Sequence, residues 1–595
     1  MNYIDLVKKL VAPIALLLAS VALFAQAERF VGPSSQTLYQ LFIEYWEWRL
    51  AQQPELATRF GRVDHNDRWR DWSKAARERL RRDREEFLQK ALYLEPGNLN
   101  AADRLSARLM ISELQTQLEV EPYADLVQRT SQSDGVHNEV FNIIDQMPSR
   151  TVRDYENIVT RLRNLPALVD QTISLMQEQL AAGLAQPAIV VDLTLDQIVA
   201  QRSAAPDDSP LLVAFRRFPG EIGAADQQRL RTAARSAYVQ SFVPSWTKLE
   251  TFLRGTYRSQ ARREVGLGSL KDGQAAYAAL IHAYTTTRLA PERIHQVGLD
   301  EVARIEKEME RLARAAGFTG PVTDYERQLG SQPGMRFSSQ EEMLQTARDV
   351  LARVQPAMSK LFSRVPKMTV GIRPIPPDRE ASTASNYTVG NPDGSRPAWF
   401  NMNTYRPHEQ FRYSVESLVL HEALPGHHLQ VGLARELPGL PEFRRAYAAS
   451  AFSEGWALYG ESLGSELGVY RDPASRFGQL ASEQFRAVRL VVDSGIHAMG
   501  WSRERAREYF ARHVPAQSIA EVDRYIARPG QALAYKLGQL KILELRRKAE
   551  QTLGPKFDIR VFHDAVLRNG TLPLDLLEDE ITAYLAAAAQ RPGRS

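Results

Sequence analysis

The chain contains no cysteine in 595 residues. That absence excludes disulfide staples, thiol nucleophiles and thiolate metal ligands together. Stability must then come from a large buried core, and any metal site must be built from histidine and carboxylate. A dominant charge sign is missing too: 75 Lys and Arg stand against 71 Asp and Glu, a formal net charge of +4. No basic face with interleaved aromatics is visible, which argues against a nucleic-acid partner. The arginine-rich stretch 68–84 is interspersed with Asp and Glu, the pattern of a solvated helix. Long apolar runs are lacking except at residues 10–24, where Lys8 and Lys9 precede the run and Pro13 interrupts it. Ala25-Gln26-Ala27 follows as a small-x-small cleavage pattern. These features predict a secretory signal peptide over 1–27 and a mature chain of 28–595, periplasmic or secreted and free of the membrane after cleavage. No cysteine follows the run to carry a lipid. Internal repeats are absent as well, and no feature speaks to oligomeric state.

Helical periodicity is what the sequence does have. Leu38, Leu41, Phe42 and Tyr45 recur at helical spacing, as do Ile158, Leu162 and Leu165, then Val302, Ile305, Met309 and Leu312. Such patterns run from about residue 36 to 361 and resume up to about 588. Between them lie three short β-leaning runs, 367–375, 384–389 and 398–403, separated by Pro, Asn, Asp and Gly. The expectation is a mainly α protein: one large helical domain with two lobes, about 28–270 and 271–595, and a central cleft. A small β-sheet would precede the catalytic helix. An exposed edge strand can hold an extended peptide by strand addition, so Asn386 and Tyr387, or Asn401 and Asn403, are candidate substrate contacts.

Histidine is scarce, with 11 in all, yet three fall in His421-Glu422-Ala423-Leu424-Pro425-Gly426-His427-His428. Catalytic zinc usually takes three protein ligands and keeps a fourth position open for water. In the common helical arrangement two histidines stand at i and i+4 with a glutamate base after the first. Here Pro425 occupies i+4. On an unbroken helix His428, at i+7, would lie about 10 Å along the axis from His421, too far to share a metal. Pro425 and Gly426 prevent a regular helix, and a local bulge absorbing two residues would return His427 to the ligand position. His421 and His427 are therefore the expected ligands, with His428 as the alternative, and Glu422 is the expected base. Glu454, 27 residues beyond His427 and after a Pro/Gly-rich turn, is the natural third ligand on a returning helix. Glu461 lies at i+7 from Glu454 and could orient a histidine; Ser453, Trp456 and Tyr459 would flank the site. A hydrolase also needs a donor for a developing oxyanion. Tyr535 and His497 are the candidates, the latter with Asp493 at i−4 as an orienting partner, and Gln531 and Arg489 are further ones.

These segments resemble a large bacterial family labelled a domain of unknown function, number eight-eight-five. The likeness also covers Tyr284-Thr285-Thr286-Thr287, Glu292-Arg293-Ile294-His295, Arg379-Glu380-Ala381-Ser382, Asp393-Gly394-Ser395-Arg396-Pro397, Asp493-Ser494-Gly495-Ile496-His497 and Pro529 through Lys536. The resemblance implies a helical zinc peptidase with a His/His/Glu site. The layout is more distantly similar to all-helical oligopeptidases and dipeptidyl carboxypeptidases, which implies a short peptide substrate. Two rivals would use the same residues: a zinc amidase acting on a non-peptide or cell-wall amide, and a non-catalytic zinc-containing periplasmic binding protein.

Overall fold

The computed structural model describes residues 33–590 apart from 127–129, 377–379, 381–383 and 392–396. The expected signal peptide and parts of two of the motifs, at 379–382 and 393–396, lie outside the described residues. Of the chain, 70 % is helical, with a small sheet of three strands. The first described helix is Pro33–Gln52 (α1), and the long helix Pro291–Ala315 (α2) follows after the second quarter of the chain. Then come the strands Val370–Pro374 (β1), Asn386–Thr388 (β2) and Ala398–Met402 (β3). The site is built after them, by Val415–Glu422 (α3), His427–Glu436 (α4), Ser450–Ser462 (α5), Pro473–His497 (α6), Ala520–Ala527 (α7) and Ala534–Leu553 (α8), and Leu574–Ala589 (α9) ends the described chain.

The sheet precedes α3, in the order β1-β3-β2. β1 runs parallel to β3, with Ile372 opposite Phe400, and β2 runs antiparallel, with Tyr387 also opposite Phe400. Phe400 and Met402 are fully buried, so alternate positions of β3 anchor the sheet on the core.

α6 is the central helix. Asp472 caps it in a reciprocal capping box with Ser475, Pro473 occupies its first turn, and every residue from Ala487 to His497 is buried. The polar residues in that stretch, Arg489, Asp493, Ser494 and His497, are therefore buried with it. α2 crosses it at Gly298, where a Cβ would lie 2.8 Å from the Leu490 and Val491 side chains. The largest core cluster takes in Leu38 and Phe42 of α1, the sheet, α3 to α5, and Ile581 and Leu585 of α9. A second cluster is confined to residues between Val140 and Tyr257. Full burial of each such Leu, Ile or Phe contributes about 1.5–3 kcal/mol, the stabilisation that a chain without cross-links depends on.

Candidate metal centre

The segment from His421 to His428 is not one bulged helix. α3 ends at Glu422, and α4 starts afresh at His427. Ala423 (φ −107°, ψ −103°) and Gly426 (φ −78°, ψ −126°) both leave helical geometry, and the Leu424–Pro425 peptide is cis. A full break, rather than the expected bulge, thus brings His427 back beside His421. Gly426 is obligatory there: a Cβ on it would sit 1.9 Å from the His421 carbonyl oxygen. Trp456 Nε1 donates to the Pro425 carbonyl at 2.9 Å and so clamps the break onto α5.

α5 is held close to α8 by a glycine pair. A Cβ on Gly455 would lie 2.5 Å from the Gly538 backbone, and one on Gly538 only 1.8 Å from the Ala451 carbonyl oxygen. This crossing sets Glu454, one residue before Gly455, against the histidines. Glu454 Oε2 lies 3.4 Å from His421 Nε2 and 3.5 Å from His427 Nε2. The imidazole planes are nearly perpendicular, at 87°, with centroids 4.8 Å apart. His421, His427 and Glu454 form a cluster that could hold a metal ion, with one donor atom from each within 4.8 Å of the others.

The donor chemistry fits a cation. His421 Nδ1 lies 2.8 Å from the fully buried Glu461 carboxylate. With the proton on Nδ1, His421 can turn an Nε2 lone pair to a cation shared with the Glu454 oxygen; with no cation bound, a second proton on Nε2 satisfies the same pair. Atoms bound tetrahedrally at about 2.0–2.1 Å stand about 3.3–3.4 Å apart, close to the separations from Glu454 to each ring. Burial opposes a charged His421, but hydrogen bonds to Glu454 and Glu461 carry its pKa up to about 9. Burial likewise opposes a charged Glu454, and the two histidines nevertheless hold it well below the usual carboxylate range. Burial raises Glu422, an effect only partly offset by His427 and His421. Its Oε2 is buried with no hydrogen-bond partner, an uncommitted acceptor beside the cluster.

The other candidates divide. Tyr535 is near enough to the site that the Glu454 charge, after burial, raises its hydroxyl pKa, while Gln531 lowers it. Arg489 packs 4.3 Å over its ring. His428 points away, with Nδ1 3.1 Å from the Tyr387 hydroxyl and Nε2 2.9 Å from the Met368 carbonyl. His497 is a correction. Its Nδ1 accepts from Leu267 N–H at 3.2 Å and its Nε2 donates to the Tyr525 carbonyl at 3.0 Å, leaving no N–H for an oxyanion. Asp493 does not orient it; that carboxylate accepts from the Tyr277 hydroxyl at 2.6 Å and from Gly530 N–H. In the sheet, the Tyr387 hydroxyl bonds His428. Asn386 is exposed on the edge strand and accepts from Asn401 at 3.0 Å. Asn401 and Asn403 are tied to Thr388 and the Glu380 carbonyl. Tyr459 turns to His563 rather than the metal cluster. Arg486 escaped sequence reasoning; its guanidinium lies 3.5 Å from Glu461. The available signal was a charge among the apolar residues Phe485, Ala487 and Val488 of α6.

Fold and site together define a mainly α-helical protein with a partly buried His/His/Glu cluster and an adjacent glutamate. The chain belongs to the family described as "Bacterial protein of unknown function (DUF885)", whose pattern matches residues 54–581. Its fold is similar to the crystal structure of a putative lipoprotein from Colwellia psychrerythraea, at 27 % identity and a TM-score of 0.87, covering 93 % of this chain and 99 % of that one. A putative lipoprotein of unknown function from Shewanella oneidensis is similar at 17 % identity and a TM-score of 0.71, covering 92 % and 99 %. An oligoendopeptidase F from Bacillus anthracis aligns at 11 % identity and a TM-score of 0.30 over 85 % and 96 %, too remote a likeness to carry an argument. No curated protein matches the chain. Among the described residues no helix is long and apolar enough to cross a membrane.

Proposed function

We propose that the protein is a zinc-dependent peptidase acting on short peptides. The observation that carries this reading is the convergence of His421 Nε2, His427 Nε2 and Glu454 Oε2 at coordination separations, beside the uncommitted Glu422 carboxylate. Those three residues would hold the ion. Zinc bound there would supply Lewis acidity, making a water nucleophilic near neutral pH and polarising the carbonyl it attacks.

The protein's own groups do the rest. Glu461 fixes the His421 ring through Nδ1, and Arg486 holds the Glu461 carboxylate. Glu422 accepts a proton from the attacking water and returns it to the leaving amine nitrogen, a role its raised pKa suits. The Tyr535 hydroxyl donates to the oxyanion that develops on the carbonyl. Small peptides suit a site that is deep in the protein yet not sealed, with Glu454 keeping 22 % of its side-chain surface. The lipoprotein names of the two similar structures favour a cell-envelope location, in keeping with a signal peptide at 1–27. This chain has no cysteine to carry a lipid.

The test is mass spectrometry of a mixed short-peptide library incubated with zinc-loaded protein and, in parallel, with Glu422→Gln. Cleavage by the wild type that the variant loses by roughly 10²–10⁴-fold, at unchanged zinc content, supports the reading. A folded, zinc-loaded wild type that cuts nothing refutes it and favours an amidase or a binding protein.

A further inference from the structure

Beside the metal centre lies a group of buried charges that do not balance. Arg489 of α6 and Arg524 of α7 pair with the same carboxylate, Glu521, at 3.2 and 3.0 Å. Two guanidiniums share one carboxylate, and Asp493, a further acid that feels Arg524, is pushed towards neutrality by burial, with its pKa raised to about 7, so positive charge is in excess. Arg489 is only 7 % exposed, and its Nη1 has no hydrogen-bond partner. An uncompensated cation inside a protein is costly, and arginine is the side chain best shaped to spend that charge on a carboxylate.

The surplus faces solvent-reached space and not sealed core. Arg524 and Glu521 keep 23 % and 22 % of their side-chain surface, as Glu454 keeps 22 %. Tyr535 connects this group to the metal centre. One face of its ring takes Arg489 at 4.3 Å, and its hydroxyl feels the Glu454 charge. Gln531 neighbours both, accepting from Arg524 at 2.6 Å and lowering the Tyr535 hydroxyl pKa.

We propose that Arg524, backed by Arg489, forms a carboxylate-binding subsite one tyrosine ring from the metal centre, selecting peptides by a free C-terminal carboxylate. The inference rests on the peptidase reading above and deepens it: the enzyme removes short C-terminal fragments. Arg524 supplies the contact because its guanidinium is the wetted one. Arg489 is a positioning residue that adds charge from behind.

The experiment uses zinc-loaded full-length protein and one short peptide in three forms: with a free C-terminal carboxylate, as the C-terminal amide, and as an amide ending in aspartate. The free acid should exceed the plain amide in kcat/KM by about thirtyfold or more, the scale on which a desolvated charge pair acts. Arg524→Gln should bring that ratio close to one, and Arg524→Lys should restore part of it. If the aspartyl amide matches the free acid, carboxylate recognition stands but its source is a side chain, and the C-terminal claim falls. Equal rates for acid and amide in the wild type overturn the subsite while leaving the peptidase reading intact. So does an Arg524→Gln that slows both alike. Should Arg524→Gln not fold, Arg489→Met reads the same ratio. If no form is cut, calorimetric binding of the acid and the amide decides. A preference for the acid that Arg524→Gln abolishes keeps the subsite and rejects the peptidase, and no preference rejects both.

Discussion

At the scale of single residues, the adjacent pair His427-His428 shows how little separates a ligand from a strut. His427 begins α4 with Nε2 3.5 Å from Glu454, whereas His428 is buried and bonded through both nitrogens. Burial lowers the His428 pKa to about 4, so the ring is neutral at physiological pH. His427→Ala should abolish stoichiometric zinc binding in equilibrium dialysis, whereas His428→Gln should keep one zinc per chain and lose thermal stability instead. Zinc retained by the first variant and lost by the second would reverse the assignment. Glu461→Gln keeps the shape but not the charge behind His421; it should weaken zinc affinity about 10–100-fold, measured by competition with a chelator. Tyr535→Phe removes only a donor to the oxyanion, so kcat should drop about 10²–10³-fold with zinc content and KM little changed.

At the scale of elements, glycine makes the site possible. α5 and α8 approach until Gly455 and Gly538 touch, and the α3–α4 break folds back until Gly426 meets the His421 carbonyl. Gly538→Ala forces a methyl group into the Ala451 carbonyl, 1.8 Å away. Overpacking of this kind costs about 1–3 kcal/mol or more. The expected result is a lower Tm together with reduced turnover, because Glu454 and Tyr535 ride on the two separated helices. Gly426→Ala should act more locally. Its methyl group would sit 1.9 Å from the His421 carbonyl, so zinc affinity should collapse while far-UV circular dichroism stays near wild type. Intact zinc binding in that variant would show that the break can be built another way.

At the scale of the whole molecule, acid should unfold the protein through its buried histidines. Burial lowers His137 and His428 to about 4 and His497 and His563 to about 3. Their unfolded value is 6.5, so below it the unfolded chain binds protons that the folded protein refuses. The stability they contribute is present above pH 6.5 and is lost as pH falls towards 4 and then 3. Each contributes about 1.4 kcal/mol per pH unit within its window. Burial raises Asp493 and Glu326 to about 7 and lifts Glu139, Glu416 and Glu422 in the same direction, which works in the opposite sense, but only the first two reach far into this range, whereas all four histidines act throughout it. Calorimetry at pH 7, 6 and 5 should show Tm falling with acid, and His563→Gln should shallow that slope relative to its own value at pH 7. A Tm flat or rising down to pH 5 would contradict it.

The sequence by itself determined the mainly helical class, the small sheet before the catalytic helix, and the residue types at the centre. Periodicity, β-leaning runs and the rarity of histidine are local signals, readable without knowing what packs where. Even the choice of Glu454 followed from spacing, since a turn and a returning helix were legible around Pro438 and Pro441. Tertiary structure alone decided the rest. His497 and Asp493 look like a coupled pair at i, i+4, yet each is bonded to a distant partner, Leu267 and Tyr277, that no local pattern reveals. Pro425-Gly426 announced a disturbance, but whether it was a bulge or a full break depended on Trp456 clamping it from another helix. The surplus charge of Arg489 and Arg524 is likewise invisible in a chain of nearly balanced composition. It exists only because two helices bring both guanidiniums to one carboxylate, and burial, a property of the packed molecule, gives that imbalance its force.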